Sequence, residues 1–271
     1  MKEKIPHPVK KFLWENFISS EVSWDKIKKF VYNECLNGDD IDYFNNIKNL
    51  GWNELHKIIQ LSSDNIGMLS FSQSGEDAVF KALTRNKKNG FFVDVGAHHP
   101  IRFSNTFSLY LDGWRGINID PIPGIQKIFD SIRPEDINLE YAVGKRESSF
   151  FYQFYEGAYN TFDQNIAESI INKKISKLIQ KISINKFPLA EVLDKHLPDN
   201  KTIDLLSVDA EGLDVEILNT NNWEKYRPLY ICAECHTTDD SRSMNPKHVL
   251  EKNGYKFAVQ TEFSTFYSRQ D

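Results

Sequence analysis

From about residue 70 the chain alternates short, continuously apolar runs with amphipathic stretches. The apolar runs are FFVDVG (91–96), GINID (116–120), INLEYAVG (137–144), IDLLSVDAEG (203–212) and LYICAE (229–234). Runs this short and this continuous suit strands covered on both faces, as in a parallel sheet. Between them SNTFSLYLDG, IPGIQKIFDSI, LDVEILNTNN and MNPKHVLEKNG carry helical spacing. The last two runs, YKFAVQTE and STFYSR, follow each other closely and should pair antiparallel. Strand and helix in alternation, closed by a hairpin, predict a doubly wound α/β fold with right-handed crossovers. Ligands of such sheets sit beyond the carboxyl ends of the strands, at the topological switch point.

Two regions depart from this rhythm. Residues 1–69 place aromatics and aliphatics at three-to-four spacing between Asp, Ser and Gly, which predicts a helical N-terminal appendage to a main domain over 70–271. Packing on the main domain is its expected role, with dimerisation or lidding of the site as the sharper alternative. Residues 148–185 form an insertion. Its first part alternates like a short strand, and its Lys/Ile-rich second part is expected to be a helix with a solvated face.

Composition narrows the function. The 271 residues are 40% hydrophobic and 26% charged with a net charge of −5, the balance of a globular protein without the basic face that nucleic-acid binding needs. No run reaches the length of a membrane span, and the N-terminus lacks the uninterrupted apolar segment of a signal peptide. Cys35, Cys232 and Cys235 are too few for a disulfide framework, and the C-x-x-C pair lies in a strand-like run as core or strand-end thiols. A cytoplasmic protein is expected.

The chemistry gathers where strands end. Asp94 and Gly96 close the first strand, and Gly96 lets the backbone turn tightly against a ligand. The G-x-G-x-x-G fingerprint is absent, since Ala97, His98, His99 and Pro100 follow, so a pyrophosphate is poorly accommodated. Asp94 instead favours a cationic group such as the sulfonium and aminoacyl end of S-adenosylmethionine (SAM). Asp120 closes the second strand, at the spacing of an acid that takes ribose hydroxyls. Asp209 and Glu211 end the fourth strand, and Glu234 and His236 end the fifth. Carboxylates this close require a cation, a proton or donors. Asp209, Glu234 and His236 form a possible divalent-metal set of oxygen and imidazole ligands.

Six blocks in register, FSQSGEDAVF, GFFVDVGAHHPIRFSNTFSLYLDGWRGINIDPIPG, RPEDINLEYAVG, GAYNTFD, IDLLSVDAEGLDVEILN and RPLYICAE, make the chain from about residue 71 resemble the FkbM family of SAM-dependent methyltransferases. The resemblance implies a Rossmann-like class I methyltransferase fold: a mostly parallel seven-stranded sheet with a C-terminal antiparallel hairpin. It also implies O-methylation, often of sugars in glycans, glycolipids or antibiotics. It places the cofactor contacts on Gln73, Asp94, Gly96, Ala97, Asp120 and Ala142. The family's lead-in segment falls on Ser72, Gln73, Gly75, Glu76 and Asp77, and its Asp-x-Glu-Gly on Asp209, Glu211 and Gly212. The insertion and residues 1–69 are the departures from the family's pattern, and such appendages commonly shape the acceptor pocket.

An alcohol acceptor needs a base or a Lewis acid near neutral pH. His98, His99 and Asp209 are the candidate catalytic groups, because the histidine pair directly follows the cofactor turn. The competing role for the pair is a cap and a packed side chain. Asn105, Thr106, Asn160 and Thr161 are candidates to bond a sugar hydroxyl, with caps and turns as the equal alternative. The expected acceptor is a sugar or sugar-containing small molecule, such as a precursor of a bacterial capsule or lipopolysaccharide. A homodimer is an open possibility. The alternatives are an NAD-dependent oxidoreductase, disfavoured by the missing glycines, and a non-catalytic SAM-binding protein, disfavoured by the clustered acids.

Overall fold

A computed structural model describes residues 70–85, 87–234 and 245–270. The helical appendage expected over 1–69 lies outside them, as do Cys235 and His236. Helix α1 (Glu76–Leu83) leads into a main sheet built from β1 (Phe91–Val95), β2 (Arg115–Ile119), β3 (Ile137–Leu139), β7 (Leu205–Val208), β8 (Tyr230–Glu234), β9 (Tyr255–Gln260) and β10 (Ser264–Arg269). Helices α2 (Phe107–Leu111), α3 (Ile125–Ile132), α5 (Leu189–His196), α6 (Asp214–Asn219) and α7 (Lys247–Lys252) connect them. The strand order is β3-β2-β1-β7-β8-β10-β9. Pairing is parallel except at β10, which runs antiparallel to both β8 and β9. This is the Rossmann-like methyltransferase sheet, with its order reversing between β1 and β7.

Alternation within the strands divides the core. Phe91, Val93 and Val95 of β1 join Ile117, Ile119, Leu206, Val208 and Ile231 on one face, where α5, α6 and α7 add Leu189, Leu218 and Leu250. Phe92 joins Leu205, Cys232 and Phe266 on the other, packed against Phe80 of α1, Leu109 of α2 and Trp114. Burying a side chain of this size contributes roughly 1.5–3 kcal/mol. Both faces being covered explains why β1 reads as an unbroken apolar run.

Near the carboxyl ends, this second face turns polar. Asn118, Asp94 and Ser207 stand side by side across β2, β1 and β7, and all three are buried. Buried polar groups of this kind need partners. Thr106 Oγ1 donates to Asp94 Oδ2 at 2.7 Å, and Asn105 Nδ2 donates to Ser207 Oγ at 3.2 Å. Asn118 Nδ2 donates to Asp136 Oδ2 at 3.1 Å, and Arg133 Nε donates to the same oxygen at 2.9 Å. The residues that open α2 therefore brace the floor of the site, while Trp114 is fully buried in the apolar part of the same face.

The insertion corrects two expectations. INLEYAVG is not one strand: β3 stops at Leu139, and β4 (Ala142–Val143) pairs instead with β6 (Leu178–Phe187) in a separate three-stranded sheet, β4-β6-β5, with β5 at Ser148–Phe154. The Lys/Ile-rich part is helical only through α4 (Gln164–Asn172), capped by Asp163, whose carboxylate accepts from the Asn165 and Ile166 amides. Lys174 then adopts φ 54°, breaking the helix, and LIQKISINKF runs as strand β6. Its exposure alternates residue by residue from Leu178 to Asn185. That period of two is a strand signal that the lysines obscure when they are read only as a solvated helical face.

Candidate active site

The first turn of the site is set by a close approach. Gly96 has φ +79°, and a Cβ on it would lie 1.7 Å from the carbonyl oxygen of Asp209. Only glycine allows the β1 and β7 ends to meet there, the more so because Asp209 N donates to Val95 O at 2.9 Å. The Gly96 and Ala97 amides both donate to Ile119 O, at 2.9 and 3.2 Å, which ties the turn to β2.

The chain then folds over Asp120. His98 N donates to Asp120 Oδ2 at 2.8 Å and Ile122 N to Oδ1 at 2.9 Å. Each carboxylate oxygen keeps a further lone pair. Burial pushes the Asp120 carboxyl up to about 6, although these two amides favour its charged form. Asp94 is likewise raised by burial, opposed by the Thr106 hydroxyl and the Arg133 charge.

Asp94, Gly96, Ala97, His98, Asp120, Asp209 and Gln73 line one cleft that opens to solvent. Gln73 reaches it because Asp77 gathers the lead-in segment, accepting from the Ser70 and Ser72 hydroxyls at 2.6 and 2.9 Å and from Phe71 N at 2.9 Å. Glu76 is buried and ties the same segment to the C-terminal hairpin, accepting from Ser74 N at 2.8 Å and from Thr261 Oγ1 at 2.6 Å.

The histidine pair divides. His98, in the left-handed region at φ 52°, lines the cleft beside Phe103, with ring centroids 6.5 Å apart. Burial and the nearby Arg102 push its imidazole down to about 4, so it is neutral at pH 7. His99 is buried and does not line the cleft. Its Nδ1 accepts from Ile101 N at 3.1 Å and Arg102 N at 3.0 Å, the cap that the competing expectation allowed. Ala142 is also buried and off the cleft, whereas its neighbours Tyr141 and Val143 line it.

Both described acids expected to hold a metal are raised above the usual carboxylate range. Burial together with Asp214, Glu211, Asp94 and Glu76 holds Asp209 well above the usual carboxylate range. Glu234 is pushed to about 10 by burial and the neighbouring acids. Glu234 does not line the cleft, and among the described residues no three His, Cys, Asp or Glu side chains converge as a metal set. His236 lies outside the described residues. Among the described lining residues there is no Lys or Arg, so the cleft is acidic.

Several lining residues carry no clear signal in the sequence. Phe103, Phe151, Phe162 and Phe263 come from four separate loops or strands, and only the fold brings their rings to one cleft. Gly157 and Ala158 also line it from the insertion, within the block GAYNTFD, beside Asn160 and Thr161, which the sequence singles out as candidates to bond a sugar hydroxyl.

The model of the FkbM methyltransferase domain matches residues 94–257, from Asp94 in β1 into β9. The chain belongs to this family. It is therefore a SAM-dependent methyltransferase. No curated protein matches this FkbM chain significantly. Among solved structures it is similar to the C-terminal domain of precorrin-6Y C5,15-methyltransferase from Rhodobacter capsulatus, at 14% identity and TM-score 0.35 over 72% of this chain and 88% of that one. It is also similar to a TehB-like SAM-dependent methyltransferase from Corynebacterium glutamicum, at 11% identity and TM-score 0.38 over 80% of this chain and 97% of that one.

The residues present fit SAM. Asp120 offers two acceptor oxygens at the end of β2, each with a lone pair beyond its amide bond, and the wall has carboxyl groups for a cation.

Proposed function

We propose that this FkbM methyltransferase transfers a methyl group to a hydroxyl oxygen, and that the acceptor is a sugar. The observation that carries the reading is His98: a neutral imidazole in the cleft wall, on the loop whose amide bonds Asp120. When bound, SAM supplies a methyl carbon already activated by its sulfonium.

In this reading Asp94 faces the cationic end of the donor, Asp120 accepts from both ribose hydroxyls, and Gln73 and the Gly96–Ala97 backbone complete its cradle. Tyr141 and Val143, where the chain passes from β3 into β4, flank it. His98 accepts the proton that the acceptor hydroxyl sheds as its oxygen bonds to the methyl carbon, and a methyl ether and S-adenosylhomocysteine (SAH) are left. The remaining task is alignment, because oriented reactants remove much of the barrier. Phe103, 40% exposed at the cleft wall, offers an apolar ring against which a pyranose face can lie. The absence of basic lining among the described residues suits a neutral sugar better than a sugar phosphate.

Incubation with methyl-labelled SAM and a panel of methyl pyranosides and neutral oligosaccharides tests this, with product read by mass. The expected product is a mono-O-methylated sugar, formed far more slowly by His98→Gln. Label found only on amines or carbon would contradict the O-methyl assignment, and unchanged turnover in His98→Gln would remove His98 as the base.

A further inference from the structure

We propose that the acceptor hydroxyl enters a notch of the cleft wall between the His98 and Asn160 side chains, with Asn160 Nδ2 as the donor that positions its oxygen. The inference rests on the sugar O-methylation reading and assigns acceptor recognition to the insertion. A Cβ on Gly157 would lie 2.7 Å from His98 Cε1, 3.4 Å from His98 Nδ1 and 3.7 Å from Asn160 Nδ2. Glycine here thus lets the His98 ring pack closely over the insertion, beside the Asn160 amide, and all three residues line the cleft.

Asn160 carries the second observation. Its Oδ1 accepts from Phe154 N at 2.8 Å, which fixes the orientation of the amide. Its Nδ2 has no hydrogen-bond partner among the described residues, although Asn160 is only 8% exposed. A buried donor left unmade is costly, and a ligand oxygen relieves that cost. A hydroxyl can do so while giving its own proton to a neutral imidazole. An oxygen in the notch meets both needs at once: it accepts from Asn160 and donates to His98.

The notch is held rigidly. Arg102, on the His98 loop, makes two parallel bonds to Glu156, Nη1 to Oε1 and Nη2 to Oε2, each at 3.0 Å. Glu156 in turn caps the short 3₁₀ turn Gly157–Tyr159. Bidentate pairing of this kind fixes geometry as well as distance. The insertion therefore does not lie over the site as a loose flap; it is clamped to the loop that carries the proposed base.

Two variants separate this from a structural role. Gly157→Ala displaces the His98 ring from the notch, since its Cβ would lie 2.7 Å from Cε1, and the backbone itself accepts alanine because Gly157 is not among the positive-φ residues. Asn160→Asp keeps the oxygen that Phe154 N needs and removes the donor. SAH-loaded protein is titrated with methyl pyranosides by ligand-observed NMR, and SAH affinity is measured separately by calorimetry. Both variants are expected to lose about tenfold or more in pyranoside affinity, the size of one charge-free hydrogen bond, with SAH affinity within about twofold of wild type. Pyranoside binding unchanged in both variants overturns the notch and leaves the sugar reading intact. A wild-type protein that binds SAH but none of the pyranosides overturns the sugar reading and the inference with it, while the methyltransferase assignment stands. If Gly157→Ala does not fold, Asn160→Asp alone decides.

Discussion

Replacing Arg133 by Met tests whether the polar floor of the cleft is a set of obligate partners or ordinary packing. Arg133 and Asp136 have no exposed side-chain surface, and Nε lies 2.9 Å from Oδ2. Breaking such a pair from one side costs about 3–5 kcal/mol, because the remaining charge stays buried without its partner. Asp136 would keep two donors, Gly116 N at 2.9 Å and Asn118 Nδ2 at 3.1 Å, and Met would refill most of the volume. The expected loss near neutral pH therefore sits at the lower end, about 3 kcal/mol. The loss should also depend on pH in a definite direction. Burial already raises Asp136, against the lowering effect of Arg133, and removing the guanidinium raises it further. A carboxyl raised in the folded state holds a proton that the unfolded chain releases near pH 4, so stability falls as pH rises above that value. Urea unfolding of wild type and Arg133→Met at about pH 5 and about pH 8 should show the larger difference at the higher pH. A difference below about 1 kcal/mol at both values would refute the reasoning. Adding Asp136→Leu should recover only part of the loss, since Gly116 N and Asn118 Nδ2 then lose their acceptor.

Gly96→Ala should lower SAM affinity by about 100-fold or more, roughly 2.7 kcal/mol, because its Cβ would meet Asp209 O at 1.7 Å and force the β1 and β7 ends apart. Calorimetry giving a wild-type affinity would contradict the role assigned to that close approach. The buried acids at and beside the cleft predict a second pH effect: burial raises Asp120 to about 6 and Asp214 to about 7. Raised folded values mean that stability of the ligand-free protein declines as pH climbs from about 4 through 7. Thermal midpoints in a pH series should fall across that window and fall less steeply in Asp214→Asn, whereas a rising profile would show that these groups ionise freely.

The fold was legible where chemistry and periodicity agree. Phe91–Val95 and Leu205–Val208 read as buried strands because both faces are covered, and Asp94 and Asp120 marked the cleft because acids at neighbouring strand ends need a ligand. Legibility failed where the pattern answered to a different neighbour. Ala142 and Val143 continue the apolar run of β3 but pair with Lys186 and Phe187, so the run breaks where a second sheet begins. Lys181 and Lys186 resemble a solvated helix face, yet they lie on β6, and Lys186 is buried against Glu216 at 2.8 Å. The histidine pair shows the same limit at the site. Adjacent residues on a tight turn point different ways, and no spacing rule says that His98 faces the cleft while His99 caps the loop. The aromatic wall was illegible for a simpler reason: its rings come from segments far apart in the chain.

The central claim is that the cleft between Asp94 and Asp120 holds the methyl donor. Calorimetric titration of SAM and SAH into wild type, Asp94→Ala and Asp120→Ala tests it most directly. Micromolar wild-type binding, reduced by about tenfold or more in each variant, is the predicted result. Wild-type affinity in both variants would move the donor to another site, and no binding of either compound to wild-type protein would contradict the account at its root.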